Sequence, residues 1–94
     1  GRVIHSEEAL AIGLVTEVSD DVVARARQLA AQIASGAPVA VAQLTATLRD
    51  GGHRSLEQAL EREAACQAID YATDDMLEAC RAFGDKRSPA FCGR

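Results

Sequence analysis

The chain has 94 residues, 48% of them hydrophobic, with only two Phe, one Tyr and no Trp, and a formal net charge of -4. An apolar set dominated by alanine in one small domain makes a thin core, so part of the stability is expected from contact with another chain or domain. Charges of both signs are interspersed and leave no clustered basic face for nucleic acid, no apolar run reaches the length of a membrane span, and no charged-then-apolar start reads as a secretory signal.

The first residue is Gly1 rather than Met, from which we expect a terminus made by engineering or proteolysis. Ser6, Glu7 and Glu8 followed by Ala, Leu and Ile, with Gly13 behind them, predict a helix of about seven residues, capped by Ser6 and ended by Gly13. Leu14 to Val18 alternates apolar and polar residues and predicts one short strand whose partners lie outside this sequence. Ser19, Asp20 and Asp21 open a second helix with an apolar stripe of Val22, Ala26, Leu29, Ala30 and Ile33, ended by Gly36. Pro38 suits the first turn of a third helix, with Val41, Leu44 and Leu48 on one side, broken by Gly51 and Gly52. Ser55 and Gln58 form a capping box for a fourth helix, in which Leu56, Leu60, Ala64 and Ala68 share a face. Thr73 caps a fifth, with a stripe of Met76, Cys80 and Phe83 and an exit at Gly84. Pro89 disfavours helix at Ser88, so the tail after Asp85 is expected to be extended.

The side chains carry little chemistry. Glu57, Glu61 and Glu63 read as a charged solvent face, and Asp74 and Asp75 as helix-capping acids. His5 and His53 stand alone and read as loop or surface residues. Cys66, Cys80 and Cys92 are odd in number and form no C-x-x-C pair, which favours buried free thiols in a reducing, cytoplasmic setting. No catalytic residue, metal site or permanently bound cofactor is expected. Phe83 followed by Lys86 and Arg87 offers a ring face for a base and a compact charge for a phosphate. The plainer reading of the same residues is a core Phe followed by a basic turn suited to the helix dipole.

Three stretches, taken in order, resemble the end of the enoyl-CoA hydratase/isomerase (crotonase) family. They are Gly1 to Val18, against "G-x-x-I-x-A-x-E-A-x-x-x-G-L-V-x-x-V"; Ser55 to Glu63, against "S-L-E-E-A-L-x-x-E"; and Thr73 to Gly93, against "T-x-D-x-x-E-G-x-x-A-F-x-E-K-R-x-P-x-F-x-G". Ala79, Cys80, Asp85 and Cys92 depart from the residues common at those places, and Cys92 replaces a basic one.

The resemblance implies a mainly α fold, the helical trimerisation region that follows a spiral of β–β–α turns, with residues 1–18 as the last helix and strand of that spiral and residues 19–94 as the oligomerising helices. It implies an acyl-CoA substrate, a trimer or dimer of trimers, and a parent enzyme hydrating 2-enoyl-CoA in fatty-acid or related metabolism. There an oxyanion hole and two Glu upstream of Gly1 would do the chemistry, leaving this chain inert alone. It also implies that Phe83 and Lys86 lie at the adenine and phosphate end of CoA. An isomerase or thioester hydrolase of the same family, or a free-standing helical self-association module, are the competing readings.

Overall fold

A computed structural model describes the backbone of residues 1–94 and the side-chain surroundings of all of them except Gly51. Five helices follow in order: α1 (Ser6–Ala11), α2 (Val22–Ala34), α3 (Pro38–Asp50), α4 (Leu56–Tyr71) and α5 (Asp74–Asp85), with a single 3-10 turn (Gly51–His53) between α3 and α4. The chain divides into two compact units, Gly1–Ala31 and Gln32–Arg94.

In the first unit α1 begins one residue earlier than expected, at the residue predicted to cap it. Ser6 is already helical, and His5 precedes it without any side-chain cap hydrogen bond. The end follows the expectation. Gly13 takes φ +73°, the Gly13 amide donates to the Leu10 carbonyl at 3.1 Å, and the Leu14 amide donates to the Ala9 carbonyl at 2.8 Å. This is the Schellman arrangement, which satisfies carbonyls the helix leaves free. The strand expected at Leu14 to Val18 is not formed: these residues bend and then run on without a ladder. A strand is defined by its partner's backbone, and a lone alternating segment has none to pair with. α2 starts where the acids predict, with the Asp21 carboxylate accepting from the Ala24 amide at 2.9 Å. Arg25 of α2 reaches Glu17 through Nε at 2.6 Å and Nη2 at 3.0 Å.

In the second unit α3 packs on α4 and α4 on α5. Polar links accompany the packing: Gln43 donates to Asp70 at 2.9 Å, and Arg62 Nε donates to Thr47 at 3.3 Å. Gly36 is needed where it stands, because a Cβ there would lie 2.9 Å from Val41 Cγ2. The capping box of α4 is complete: the Gln58 amide donates to Ser55 Oγ at 3.2 Å, and the Ser55 amide donates to Gln58 Oε1 at 3.0 Å.

Burial is sparse. Among the described residues only Ala9, Cys66, Ala82 and Asp75 are buried. The apolar stripes read from sequence exist as helix faces, yet Leu44, Leu48, Leu56 and Leu60 all stand exposed, Leu56 to 77%. Of the stripe expected to bury α5, only Met76 is half-buried. Cys80 and Phe83 are exposed, while the inner face consists of Asp75 and Ala82 with half-buried Glu78 and Ala79 between them. Acidic residues face inward where the C-terminal tail returns over the helix and brings its amides to them. Of the three thiols expected to be buried, only Cys66 is; Cys80 and Cys92 are exposed. No single helix is long and apolar enough to cross a membrane.

Candidate functional site at the end of helix α5

Thr73 caps α5, accepting from the Met76 amide at 3.3 Å and donating to the Asp70 carbonyl at 2.7 Å. The two acids behind it have different work. Asp74 sits in the first turn, where its charge suits the helix dipole. Asp75 is only 3% exposed, and its two oxygens accept from the Cys92 amide at 2.7 Å and the Gly93 amide at 2.9 Å. The Cys92 amide, joined by that of Gly93, holds this carboxyl below the usual carboxylate range, against the opposing effect of burial.

One turn on, Glu78 accepts from Arg87 Nη1 at 2.5 Å, from Arg87 Nη2 at 3.0 Å and from the Ala90 amide at 2.9 Å. The guanidinium first, and the amide second, pull its pKa down to about 2. The Asp74 amide donates to the Arg94 carbonyl at 2.6 Å. Phe91 closes the wall of a cleft of about 160 Å³ shared with Met76, Ala79, Val39 and Ala40. Gly93, at φ +75°, lies where a Cβ would come within 3.1 Å of Pro38 Cβ. The tail from Arg87 to Arg94 is therefore a strap laid back along α5 and fastened by two carboxylates.

The turn into the strap is made by Lys86. Gly84 remains helical, and the helix runs on through Asp85. Lys86 adopts φ 53° and ψ 40°, the left-handed position that Gly or Asn usually fills. The Lys86 amide donates to the Phe83 carbonyl at 3.2 Å, and the Arg87 amide donates to the Ala82 carbonyl at 3.0 Å. The Phe83 ring is 89% exposed. Lys86 is exposed too, and its ammonium makes no ion pair or side-chain hydrogen bond among the described residues, unlike Arg2, Arg25, Arg54 and Arg87.

The two residues singled out from sequence thus end one helix together, an uncovered aromatic face three positions before a free cation. Arg87, read beside Lys86 as a basic neighbour, is instead committed to Glu78. Glu57, Glu61 and Glu63 are exposed on α4, and His5 and His53 are exposed as well. Sequence reasoning missed Asp75 and Glu78 as holders of the strap. The available signal was Pro89, which marks the tail as extended and its amides as free of a helix, though not the path it takes.

Residues 1–94 match the family model for enoyl-CoA hydratase/isomerase, and the chain belongs to that family. It is 34% identical over 100 residues to human enoyl-CoA hydratase domain-containing protein 2, mitochondrial, covering all of this chain and 34% of that protein. It is 35% identical over 95 residues to (E)-benzylidenesuccinyl-CoA hydratase of Thauera aromatica, covering 99% of this chain and 37% of the relative. The crystal structure of enoyl-CoA hydratase from Bacillus anthracis superposes with a TM-score of 0.91 at 32% identity, over all of this chain and 37% of that one. The helices are accordingly a C-terminal helical region of the crotonase fold. The chain spans about a third of the length of the curated relatives it matches.

Proposed function

We propose that this chain is the C-terminal part of an enzyme that adds water across the 2,3 double bond of 2-enoyl-CoA thioesters, in fatty-acid or related acyl-CoA metabolism of the cytoplasm. Residues 1–18 complete its catalytic spiral, and residues 19–94 form its helical oligomerisation region. Hydration is favoured over isomerisation or thioester hydrolysis because the relatives with the same end carry hydratase names. The reacting groups lie in the spiral, and residues 1–94 alone are inactive.

Phe83 and Lys86 contact the adenine and phosphate end of the coenzyme. The observation that carries this is a bare ring and, at the same helix end, an ammonium with no ion pair among the described residues. A ring face stacks a base, and a compact ammonium suits phosphate as a point charge. Both are remote from the thioester, so they bind ground state and transition state alike.

Lys86→Ala in the full-length enzyme tests the assignment. With crotonyl-CoA as substrate, KM is expected to rise about fivefold, the scale of one solvent-exposed ion pair, with kcat unchanged. An unchanged KM removes Lys86 from the site. The uncovered leucines of α3 and α4 support a second property of the same region, self-association of like chains into a trimer or dimer of trimers.

A further inference from the structure

Arg87 follows Lys86 directly and is held from two sides. Its amide closes the left-handed turn on the Ala82 carbonyl at 3.0 Å. Its guanidinium lies two-pronged on the Glu78 carboxylate, at 2.5 and 3.0 Å. Glu78 also takes the Ala90 amide at 2.9 Å, so one carboxylate fastens both ends of the segment 87–90 to the side of α5. Asp85 adds little, reaching Arg87 Nε only at 3.4 Å from an exposed position.

A residue bearing a Cβ is disfavoured in the left-handed region, and neither Gly nor Asn stands here to relieve it. Lys86 offers no side-chain bond of its own to hold the turn. The backbone of the turn is held by the Lys86 amide on the Phe83 carbonyl and the Arg87 amide on the Ala82 carbonyl, and the Arg87 side chain that follows it is held by Glu78.

We propose that Glu78 is a positioning residue for anion recognition: through Arg87 it locks Lys86 in the left-handed turn and so aims the free ammonium at the phosphate end of the coenzyme. This rests on the reading of Lys86 given under the proposed function. Glu78 touches no substrate and acts only through the strap.

The test uses the full-length enzyme with crotonyl-CoA. Glu78→Gln keeps an oxygen for the Ala90 amide and removes the charge that pairs with Arg87. KM is expected to rise about threefold with kcat unchanged, within the range of one partly exposed charged contact. Placed on a Lys86→Gly background, Glu78→Gln should add no further rise, because no ammonium remains to misplace. Without substrate, the Arg87 amide should exchange with solvent faster in Glu78→Gln than in the parent.

Arg87→Lys keeps the charge and loses the two-pronged pairing. It should give the same signature, and it decides the matter alone if Glu78→Gln does not fold. Parental KM in both variants, alongside a raised KM in Lys86→Gly, overturns the role of Glu78 and leaves the phosphate reading standing. A further rise on the Lys86→Gly background shows a general effect on the fold and likewise overturns it. A Lys86→Gly enzyme with parental KM removes the phosphate reading, and the inference with it.

Discussion

Lys86 shows how a single residue can carry opposing demands. Its left-handed backbone costs about 1–2 kcal/mol for a residue with a Cβ, whereas glycine there gives back only about 0.5–1 kcal/mol of extra chain entropy. Lys86→Gly should therefore stabilise the folded chain by about 0.5–1 kcal/mol, read as a higher urea midpoint with an unchanged slope. If Lys86 meets phosphate, the same substitution weakens coenzyme binding. Stability and affinity then move in opposite directions, the signature of strain kept for function. A lower midpoint would mean that the aliphatic stem of Lys86 packs to an extent its exposure does not suggest. The left-handed conformation of Lys86 was not legible in the sequence. Gly84, two residues earlier, is the usual occupant of a left-handed exit, yet the helix runs past it to Asp85.

At the scale of elements, the strap is fastened to α5 by two carboxylates, Glu78 and Asp75. Glu78 has its pKa lowered from 4.5 to about 2 by Arg87 and the Ala90 amide. Asp75 is lowered in the same direction, chiefly by the Cys92 amide. A carboxyl whose folded pKa lies below its unfolded one adds stability at all pH above the unfolded value. That stability is lost as pH falls through the interval down to the folded value. Strap docking should thus be constant at neutral pH and weaken progressively from about pH 4.5 towards pH 2. Amide exchange of Cys92, Gly93 and Ala90 at stepped pH measures it. Glu78→Gln should abolish the Ala90 part of the pH dependence and leave the part due to Asp75. Exchange that stays uniform over that interval would show that Phe91 and Gly93, rather than the carboxylates, hold the strap.

Most helix boundaries were legible because their signals are local, the start of α1 and the exit of α5 being the exceptions. The capping box Ser55/Gln58, the cap at Thr73, Pro38 at a first turn and Gly13 at a left-handed end each act within about one helical turn. What sequence did not disclose depends on partners distant along the chain. Leu14 to Val18 has a strand's pattern but no ladder to join. The inward face of α5 is set by a tail that returns over it, which reversed the expectation for Cys80 and Phe83.

For the molecule as a whole, the same logic bears on the faces left uncovered. Three apolar residues are buried among those described, while Leu44 and Leu48 on α3 and Leu56 and Leu60 on α4 are exposed between 59% and 77%. These leucines follow helical spacing as faithfully as any buried stripe, so the pattern in sequence records a covering that the chain alone does not supply. Their exposed side chains leave apolar surface in water at roughly 25 cal/mol per Å², which association of like chains can recover. The isolated 94-residue chain should therefore self-associate at micromolar concentration, by light scattering. Its thermal midpoint should rise with protein concentration, because a species that binds only the folded state stabilises it by mass action. Leu48→Glu and Leu60→Glu should reduce both effects. Neither residue is buried within the chain, so the helix content by circular dichroism should persist at high concentration in each variant. A monomer whose midpoint is independent of concentration, with both leucines in place, would show that α3 and α4 have no need of an apolar partner and would remove the oligomerising role assigned to residues 19–94.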